Sequence, residues 1–179
     1  MLSLLPMHQL LLLRHAKSSW DDTKLADRDR PLTERGRRAA AAMRQAMHEL
    51  GLAPDLVLVS PARRTLQTLD ALEPWDDTPL LEQLEGLYLA NAAQLMGTLH
   101  DVAETVRSVL LIGHNPGMHE LAQLLIAGAQ PTDATRRLAK GYPTGALAEF
   151  AIAGSWLHLA AGGGRLTRFI TPRELERTV

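Results

Sequence analysis

The chain of 179 residues contains no cysteine, and neither sign of charge dominates it. The lack of cysteine excludes disulfide bonds, thiolate metal sites and a cysteine nucleophile. It also fits a reducing compartment, so we expect a cytoplasmic protein. Because 19 basic and 20 acidic residues leave a formal net charge of -1, the chain has no general attraction for nucleic acid or anionic membranes. We therefore expect neither as a partner, and any anion site must be a local cluster of positive side chains.

The chain also lacks an apolar run long enough to cross a membrane. Its N-terminal stretch is largely apolar but too short, because a transmembrane helix needs about 20 apolar residues. That stretch has neither the basic region nor the small-residue cleavage site of a signal peptide. We predict that residues 1–7 form a flexible extension, with Met1 or Met7 as the functional start. Residues 8–179 should then form a single domain, in keeping with about 100–200 residues per domain.

Short apolar runs alternate with helical patterns along the chain. The runs predict strands over residues 9–13, 56–59, 108–112, 146–152, 156–160 and 166–170. Purely apolar strands indicate a mainly parallel sheet that is covered on both faces. The sequence therefore predicts an α/β fold, with a mostly parallel central sheet and helices on both faces.

Capping signals set the limits of the predicted helices. Thr33 resembles an N-cap and Gly51 a C-terminal stop for the first helix. Ser60 resembles the N-cap of the second, with Pro61 at its first helical position. Further helices are predicted over residues 92–105 and along Leu121, Leu124 and Leu125, and residues 74–80 are predicted to be a loop.

Polar side chains follow three of the predicted strands. His15, Ser60 and His114 each come just after an apolar run, and ligands of parallel sheets bind beyond the carboxyl ends of the strands. Taken singly, the segments around these three residues are also typical of turns, capped helices and solvated arginines. Together they predict a phosphate pocket, because the arginine fork matches phosphate oxygens. A neutral histidine in such a pocket can attack phosphorus.

Four segments resemble the motifs of the histidine phosphatase superfamily, which includes the phosphoglycerate mutases. They are Leu-Arg-His-Ala-Lys-Ser, Asp-Arg-Pro-Leu-Thr-Glu-Arg-Gly, Ser-Pro-Ala-Arg-Arg-Thr-Leu-Gln-Thr and Ile-Gly-His-Asn-Pro, at residues 13–18, 29–36, 60–68 and 112–116. More narrowly, the chain resembles the SixA-type phosphohistidine phosphatases. Its small size fits that subgroup, and so does the segment Tyr-Pro-Thr-Gly-Ala at residues 142–146. The resemblance implies a phosphoglycerate mutase-like fold and phosphatase activity.

The resemblance also implies a role for each matching residue. His15 corresponds to the nucleophile that becomes phosphorylated, and Arg14 and Arg64 correspond to the phosphate clamps. Arg64 is selected over Arg63 because the phosphate arginine of the motif lies four residues before its final threonine. His114 corresponds to the second histidine, which donates to the phosphoryl oxygens and stabilises charge during transfer.

Other polar residues have weaker support from the sequence. Lys17 and Ser18 are further candidates for contact with phosphate, whereas Glu82 and Glu85 are candidates for a general acid that no sharp motif identifies. The charged residues of segment 21–30 are predicted to form a solvated loop. Structural or surface positions are predicted for the remaining histidines, His8, His48, His100, His119 and His158.

Three functions remain open at this point. The favoured one is dephosphorylation of phosphohistidine on a protein, because an imidazole leaves readily without a general acid. A phosphatase of small phosphate esters is the second, and a functional Glu82 or Glu85 would favour it. A phosphate- or phosphoprotein-binding module without turnover is the third. No metal or cofactor is expected, because neither His15 nor His114 belongs to a ligand-spaced cluster.

Overall fold

A six-stranded sheet forms the centre of the computed structural model, which describes residues 7–177. The strands are β1 Met7–Arg14, β2 Leu56–Val59, β3 Leu80–Gln83, β4 Ser108–Gly113, β5 Leu147–Ala153 and β6 Gly164–Ile170. Their order in the sheet is β3-β2-β4-β1-β5-β6. The first four are mutually parallel, β5 is antiparallel to β1, and β6 is antiparallel to β5. The predicted α/β fold with a mostly parallel sheet is confirmed.

Helices cover both faces of this sheet. They are α1 Glu34–Glu49, α2 Arg63–Ala71, α3 Ala92–His100, α4 Gly117–Leu125, α5 Asp133–Lys140 and α6 Pro172–Glu176, and short 3-10 helices span Asp27–Asp29 and Glu85–Leu87. Leu11 and Leu13 of β1 pack in one apolar cluster with α1 and α2. Leu10 and Leu12 pack in the other with α3 and α4. Among residues 7–177, no helix is both long and apolar enough to cross a membrane.

The central strands are apolar because they are buried on both faces. Every residue of β2 and β4 is buried, and the four leucines of residues 10–13 are at most 1% exposed. Burying one leucine contributes about 1.5–3 kcal/mol. This packing fixes the carboxyl ends of β1, β2 and β4, which carry the predicted site.

The predicted limits of α1 are confirmed. The Thr33 hydroxyl accepts a hydrogen bond from the backbone N–H of Gly36 at 2.9 Å. Gly51 follows the helix with a φ of 67°, the left-handed conformation that favours glycine at a helix end. A Cβ added to Gly36 would lie 2.1 Å from the carbonyl oxygen of Lys17. This close approach fixes α1 against the loop that follows β1.

The predicted limits of two other helices are wrong. Ala62, not Ser60, is the N-cap of α2, which begins at Arg63. The Ser60 hydroxyl instead lies 2.7 Å from Nε2 of His114. Helix α3 ends at His100 rather than at residue 105, because the chain turns there, with Val102 buried, before entering β4.

Predictions for three segments, at residues 156–160, 80 and 7, also differ from the structure. Residues 156–160 were predicted to be a strand but form turns and irregular structure. Within them Trp156 is fully buried, and its indole Nε1 donates to the carbonyl of Val106 at 2.8 Å. Residue 80 begins β3, which the sequence does not predict because this edge strand is exposed along its whole length. Met7 begins β1, where a flexible residue was predicted. Residues 1–6 of that predicted extension lie outside the described residues.

Candidate active site

The carboxyl ends of three strands bring the predicted residues together. Arg14, the last residue of β1, is paired with Gly113 at the end of β4. The backbone N–H of His15 donates to the carbonyl of Gly113 at 3.1 Å, and His114 is the next residue. Strand β2 ends beside β4 in the same direction, so that Ser60 N–H donates to the carbonyl of Ile112 at 3.1 Å.

A pocket of about 220 Å³ opens at this edge of the sheet. It contains all six residues that the sequence assigned to catalysis or phosphate contact. The lining consists of Arg14, His15, Lys17, Ser18, Trp20, Asp27, Arg30, Arg64, Leu89, His114, Asn115 and Thr144. Glu82 and Glu85 do not belong to the lining.

His15 is held as a neutral imidazole with one nitrogen free to react. Its Nδ1 lies 2.7 Å from the carbonyl oxygen of Ala16. Because a carbonyl only accepts, Nδ1 carries the proton and Nε2 keeps its lone pair. The pKa of His15 is lowered to about 3, mainly by burial. The hydrogen bond to the carbonyl of Ala16 opposes this shift, and the charge of Arg64 adds to it. The imidazole is therefore neutral at neutral pH.

His114 is engaged at both ring nitrogens. Nη2 of Arg64 lies 3.3 Å from Nδ1, and Nε2 lies 2.7 Å from the Ser60 hydroxyl. Because a guanidinium only donates, Nδ1 is the acceptor and Nε2–H donates to Ser60. Burial, followed by the charge of Arg64, lowers the pKa of His114 to about 4. The rings of His15 and His114 are 5.4 Å apart between their centroids.

Two arginines present donors that no protein acceptor fills. Nη1 of Arg14 donates to the carbonyl of Tyr142 at 2.9 Å, and Nη1 of Arg64 donates to the carbonyl of Asp27 at 2.7 Å. Among the described residues, neither Arg14 Nε nor Arg64 Nε, both buried, has a hydrogen-bond partner. A buried donor without a partner costs about 1–3 kcal/mol.

The choice of Arg64 over Arg63 agrees with the geometry. Arg64 is 3% exposed and lines the pocket. Arg63, one residue earlier on α2, is exposed, and its Nη1 makes a long contact of 3.4 Å with the carbonyl of Asp29. Lys17 lies exposed at the rim, whereas Ser18 is buried and its hydroxyl accepts from Arg30 Nη2 at 2.7 Å.

Asp27 and Arg30 show that segment 21–30 is not simply a solvated loop. Arg30 is 6% exposed, and its Nη1 donates to Asp27 Oδ1 at 3.0 Å. Asp27 Oδ2 accepts from Arg64 Nη2 at 3.0 Å and from the Tyr88 hydroxyl at 2.5 Å. Burial alone would raise the pKa of Asp27, but hydrogen bonds from Tyr88, Arg30 and Arg64 outweigh it and lower the pKa to about 2.

No role was assigned from the sequence to Asp27, Arg30 or Tyr88. Arg30 lies in the motif at residues 29–36, which could have indicated it. Asp27 and Tyr88 carry no comparable signal, because they come from separate loops and meet only in the folded chain. The Tyr88 hydroxyl donates to Asp27, and Asp27 in turn accepts from the guanidinium of Arg64, which it holds in the wall of the pocket.

Neither candidate acid reaches the pocket. Glu82 lies on the exposed edge strand β3. Glu85 is exposed and accepts two hydrogen bonds from Arg28, at 2.9 and 2.6 Å. That pairing, opposed by a smaller cost of burial, lowers the pKa of Glu85. Neither side chain lines the pocket.

The other five histidines lie away from the pocket. His8 is 3% exposed, and its ring nitrogens contact the carbonyls of Gly154 and Glu104 at 2.7 and 3.1 Å. The remaining four contact a carbonyl or a side chain, the pairs being His48–Asp76, His100–Leu159, His119–Leu138 and His158–Ser155. Within residues 7–177, no three histidine or acidic side chains cluster as metal ligands would.

Comparison with known proteins defines the class of this molecule. The histidine phosphatase superfamily (branch 1) model matches residues 10–140, so the chain belongs to that superfamily. An uncharacterized protein of Mycobacterium tuberculosis is 34% identical over 163 residues, which cover 90% of this chain and 100% of its own. An uncharacterized chloroplastic protein of Arabidopsis thaliana is 34% identical over 127 residues, 65% of this chain and 58% of its own.

Solved structures of SixA proteins are among those similar to this chain. SixA from Nakamurella multipartitia is 29% identical with a TM-score of 0.81, and the match covers 93% of this chain and 96% of that one. The protein histidine phosphatase SixA complexed with tungstate is 25% identical with a TM-score of 0.76, over 93% and 99% of the two chains. The phosphoglycerate mutase-like fold and the SixA-type resemblance are thus confirmed.

Proposed function

We propose that this chain is a phosphatase that forms a phosphohistidine on His15 and takes phosphohistidine on a protein as its substrate. One observation carries the choice of substrate. Among the described residues that line the pocket, Asp27 is the only carboxylic acid. Its pKa is lowered to about 2, so it is ionised at neutral pH and cannot donate a proton.

The described lining of the pocket has no protonated carboxyl group to act as a general acid, and this favours a leaving group that does not need one. A departing alkoxide needs a proton, and a positioned acid contributes about 10²–10⁴-fold to such a step. An imidazole is a better leaving group, because its conjugate acid has a pKa near 6.5 and it can depart protonated. Phosphohistidine is therefore the substrate that this pocket can cleave without further machinery.

The first chemical step follows from the neutral state of His15. Its Nε2 lone pair attacks phosphorus, and a P–N bond to His15 forms as the P–N bond to the substrate imidazole breaks. The departing imidazole carries its own proton or takes one from water. Arg14 and Arg64 hold the equatorial oxygens with charge-assisted hydrogen bonds, which are roughly twice as strong as neutral ones.

The second step returns His15 to its starting state. A water molecule attacks phosphorus, its oxygen forms the new P–O bond, and the bond between phosphorus and Nε2 breaks. The water proton passes to solvent or to the phosphate product. His114 reaches a phosphoryl oxygen as a donor only when Nδ1 is protonated, and a neighbouring dianion favours that by raising the pKa of His114.

The relatives support this proposal. One of the SixA structures holds tungstate, a tetrahedral oxyanion like phosphate, and that protein is a protein histidine phosphatase. In this chain, Arg14 and Arg64 line the pocket, and their guanidinium groups would donate to such an oxyanion.

A turnover assay tests the proposal. The chain should release phosphate from a phosphohistidine protein and, more slowly, from an activated aryl phosphate, whereas alkyl phosphates should be poor substrates. Steep decline of ester rates with leaving-group pKa is expected. Good turnover of alkyl phosphates would instead indicate a small-ester phosphatase, and binding of phosphoprotein without any turnover would indicate a binding module. His15→Asn, which keeps a small polar side chain, is the inactive control.

A further inference from the structure

A second depression adjoins the catalytic pocket and carries excess positive charge. This basic groove, of about 540 Å³, is lined by Lys17, Arg35, Ala39, Pro143, Thr144, Thr171, Pro172, Arg173 and Glu176. Its three cations outnumber its one carboxylate. The proposed catalytic steps use none of its residues, although Lys17 and Thr144 also line the catalytic pocket.

The cations of the basic groove are exposed and unpaired. Lys17, Arg35 and Arg173 are all exposed. Other surface arginines of the same elements behave differently: Arg38 on α1, for example, pairs with Glu34 at 3.2 Å. Within the part of the chain that the structure describes, the side chains of Lys17, Arg35 and Arg173 form no ion pair and no hydrogen bond. Their charge is therefore available to a ligand.

The basic groove is fixed relative to the nucleophile. Lys17 and Thr144 line both the groove and the catalytic pocket. The N–H of Gly145 donates to the carbonyls of Arg14 and His15, at 3.1 and 2.9 Å, which ties the groove wall to the end of β1. Gly145 has a φ of 76°, and an added Cβ would meet Pro172 Cγ at 2.9 Å. A ligand in the basic groove would therefore lie directly beside a phosphoryl group bound at His15.

We propose that the basic groove binds an acidic segment flanking the phosphohistidine of the substrate protein. The inference rests on the proposed function, because it assigns the groove to the same substrate. The catalytic pocket accepts the phosphoryl group, and the groove beside it offers two or three cations to neighbouring glutamate or aspartate side chains. Charge complementarity of this kind acts mainly on the rate of encounter and on specificity.

Two peptides that differ only in charge test the proposal. Both carry one phosphohistidine, flanked on each side by glutamates in the first and by glutamines in the second. The protein should cleave the glutamate peptide with a kcat/KM higher by about threefold to tenfold at low salt, or about 0.6–1.4 kcal/mol, which is the size of effect expected from one or two exposed ion pairs. The preference should vanish near 1 M salt, where the Debye length is about 3 Å.

Variants of the groove locate the effect. The double variant Arg35→Ala/Arg173→Ala should lose the preference for the glutamate peptide and keep its rate on an aryl phosphate. Glu176→Gln should increase the preference, because it removes the one negative charge of the groove. The matched control is Arg107→Ala/Arg165→Ala, which removes two exposed arginines. Arg107 directly precedes β4 and Arg165 is the second residue of β6, so both lie at the end of the sheet opposite the pocket. This variant should therefore keep the preference.

The outcomes separate the inference from the proposed function. If the unaltered protein cleaves neither peptide, the proposed function fails and the inference falls with it. If it cleaves both at equal rates, or if the groove variant and the control variant keep the same preference, only the inference is overturned.

Discussion

Acidification should destabilise the protein through His15. The pKa of this buried side chain is lowered from 6.5 to about 3, so the folded state binds fewer protons than the unfolded state between these values. Stability is then unaffected above about pH 6.5 and falls as the pH decreases toward 3. At pH 5, one and a half units below the unfolded pKa, the loss is about 2 kcal/mol at about 1.36 kcal/mol per unit.

His15→Asn removes this dependence, because asparagine does not titrate. Urea unfolding at pH 7 and at pH 5 measures the change in the free energy of unfolding. The unaltered protein should lose about 2 kcal/mol more than the variant over this interval. His158→Asn replaces an exposed histidine outside the pocket and should follow the unaltered protein. Equal losses in the unaltered protein and in His15→Asn would refute the reasoning, because His15 would then not be held neutral by burial.

Three further predictions concern the pocket. Arg64→Ala should lower kcat/KM by about 10²–10³-fold, the usual loss for one donor to developing charge, whereas Arg63→Ala should change it by less than about threefold; equal losses would show that the motif is misregistered. The double variant Glu82→Gln/Glu85→Gln should keep phosphohistidine turnover within about tenfold, or about 1.4 kcal/mol of barrier; a loss of about 10²–10⁴-fold on esters would identify one of them as the acid. Activity should survive dialysis against a strong chelator, and loss restored by added Mg²⁺ or Zn²⁺ would contradict the predicted metal independence.

The sequence predicts the central strands well because burial on both faces requires unbroken apolar runs. Residues 9–13, 56–59 and 108–112 all lie within strands of the structure. The same rule fails at residues 156–160, where Trp156 is buried by a turn rather than by a strand. It also misses β3, because an exposed edge strand needs no apolar pattern.

The site was predictable where its residues lie beside a strand end or, as for Arg64, within a motif. His15 and His114 follow β1 and β4 directly, so the rule for parallel sheets places them together. Asp27 and Tyr88 come from separate loops, and only the folded chain brings them to Arg64. Ser60 was predicted as a helix cap because its contact with His114 spans 54 residues and leaves no local pattern.

The most direct test of the account is to trap the phosphoenzyme. The protein is mixed with a phosphohistidine protein, quenched rapidly in base, digested and analysed by mass spectrometry. The account predicts one phosphoryl group on the peptide that contains His15, formed and consumed at rates compatible with turnover, and its absence in His15→Asn. A phosphoryl group on His114 instead, or full turnover by a folded His15→Asn variant, would contradict it.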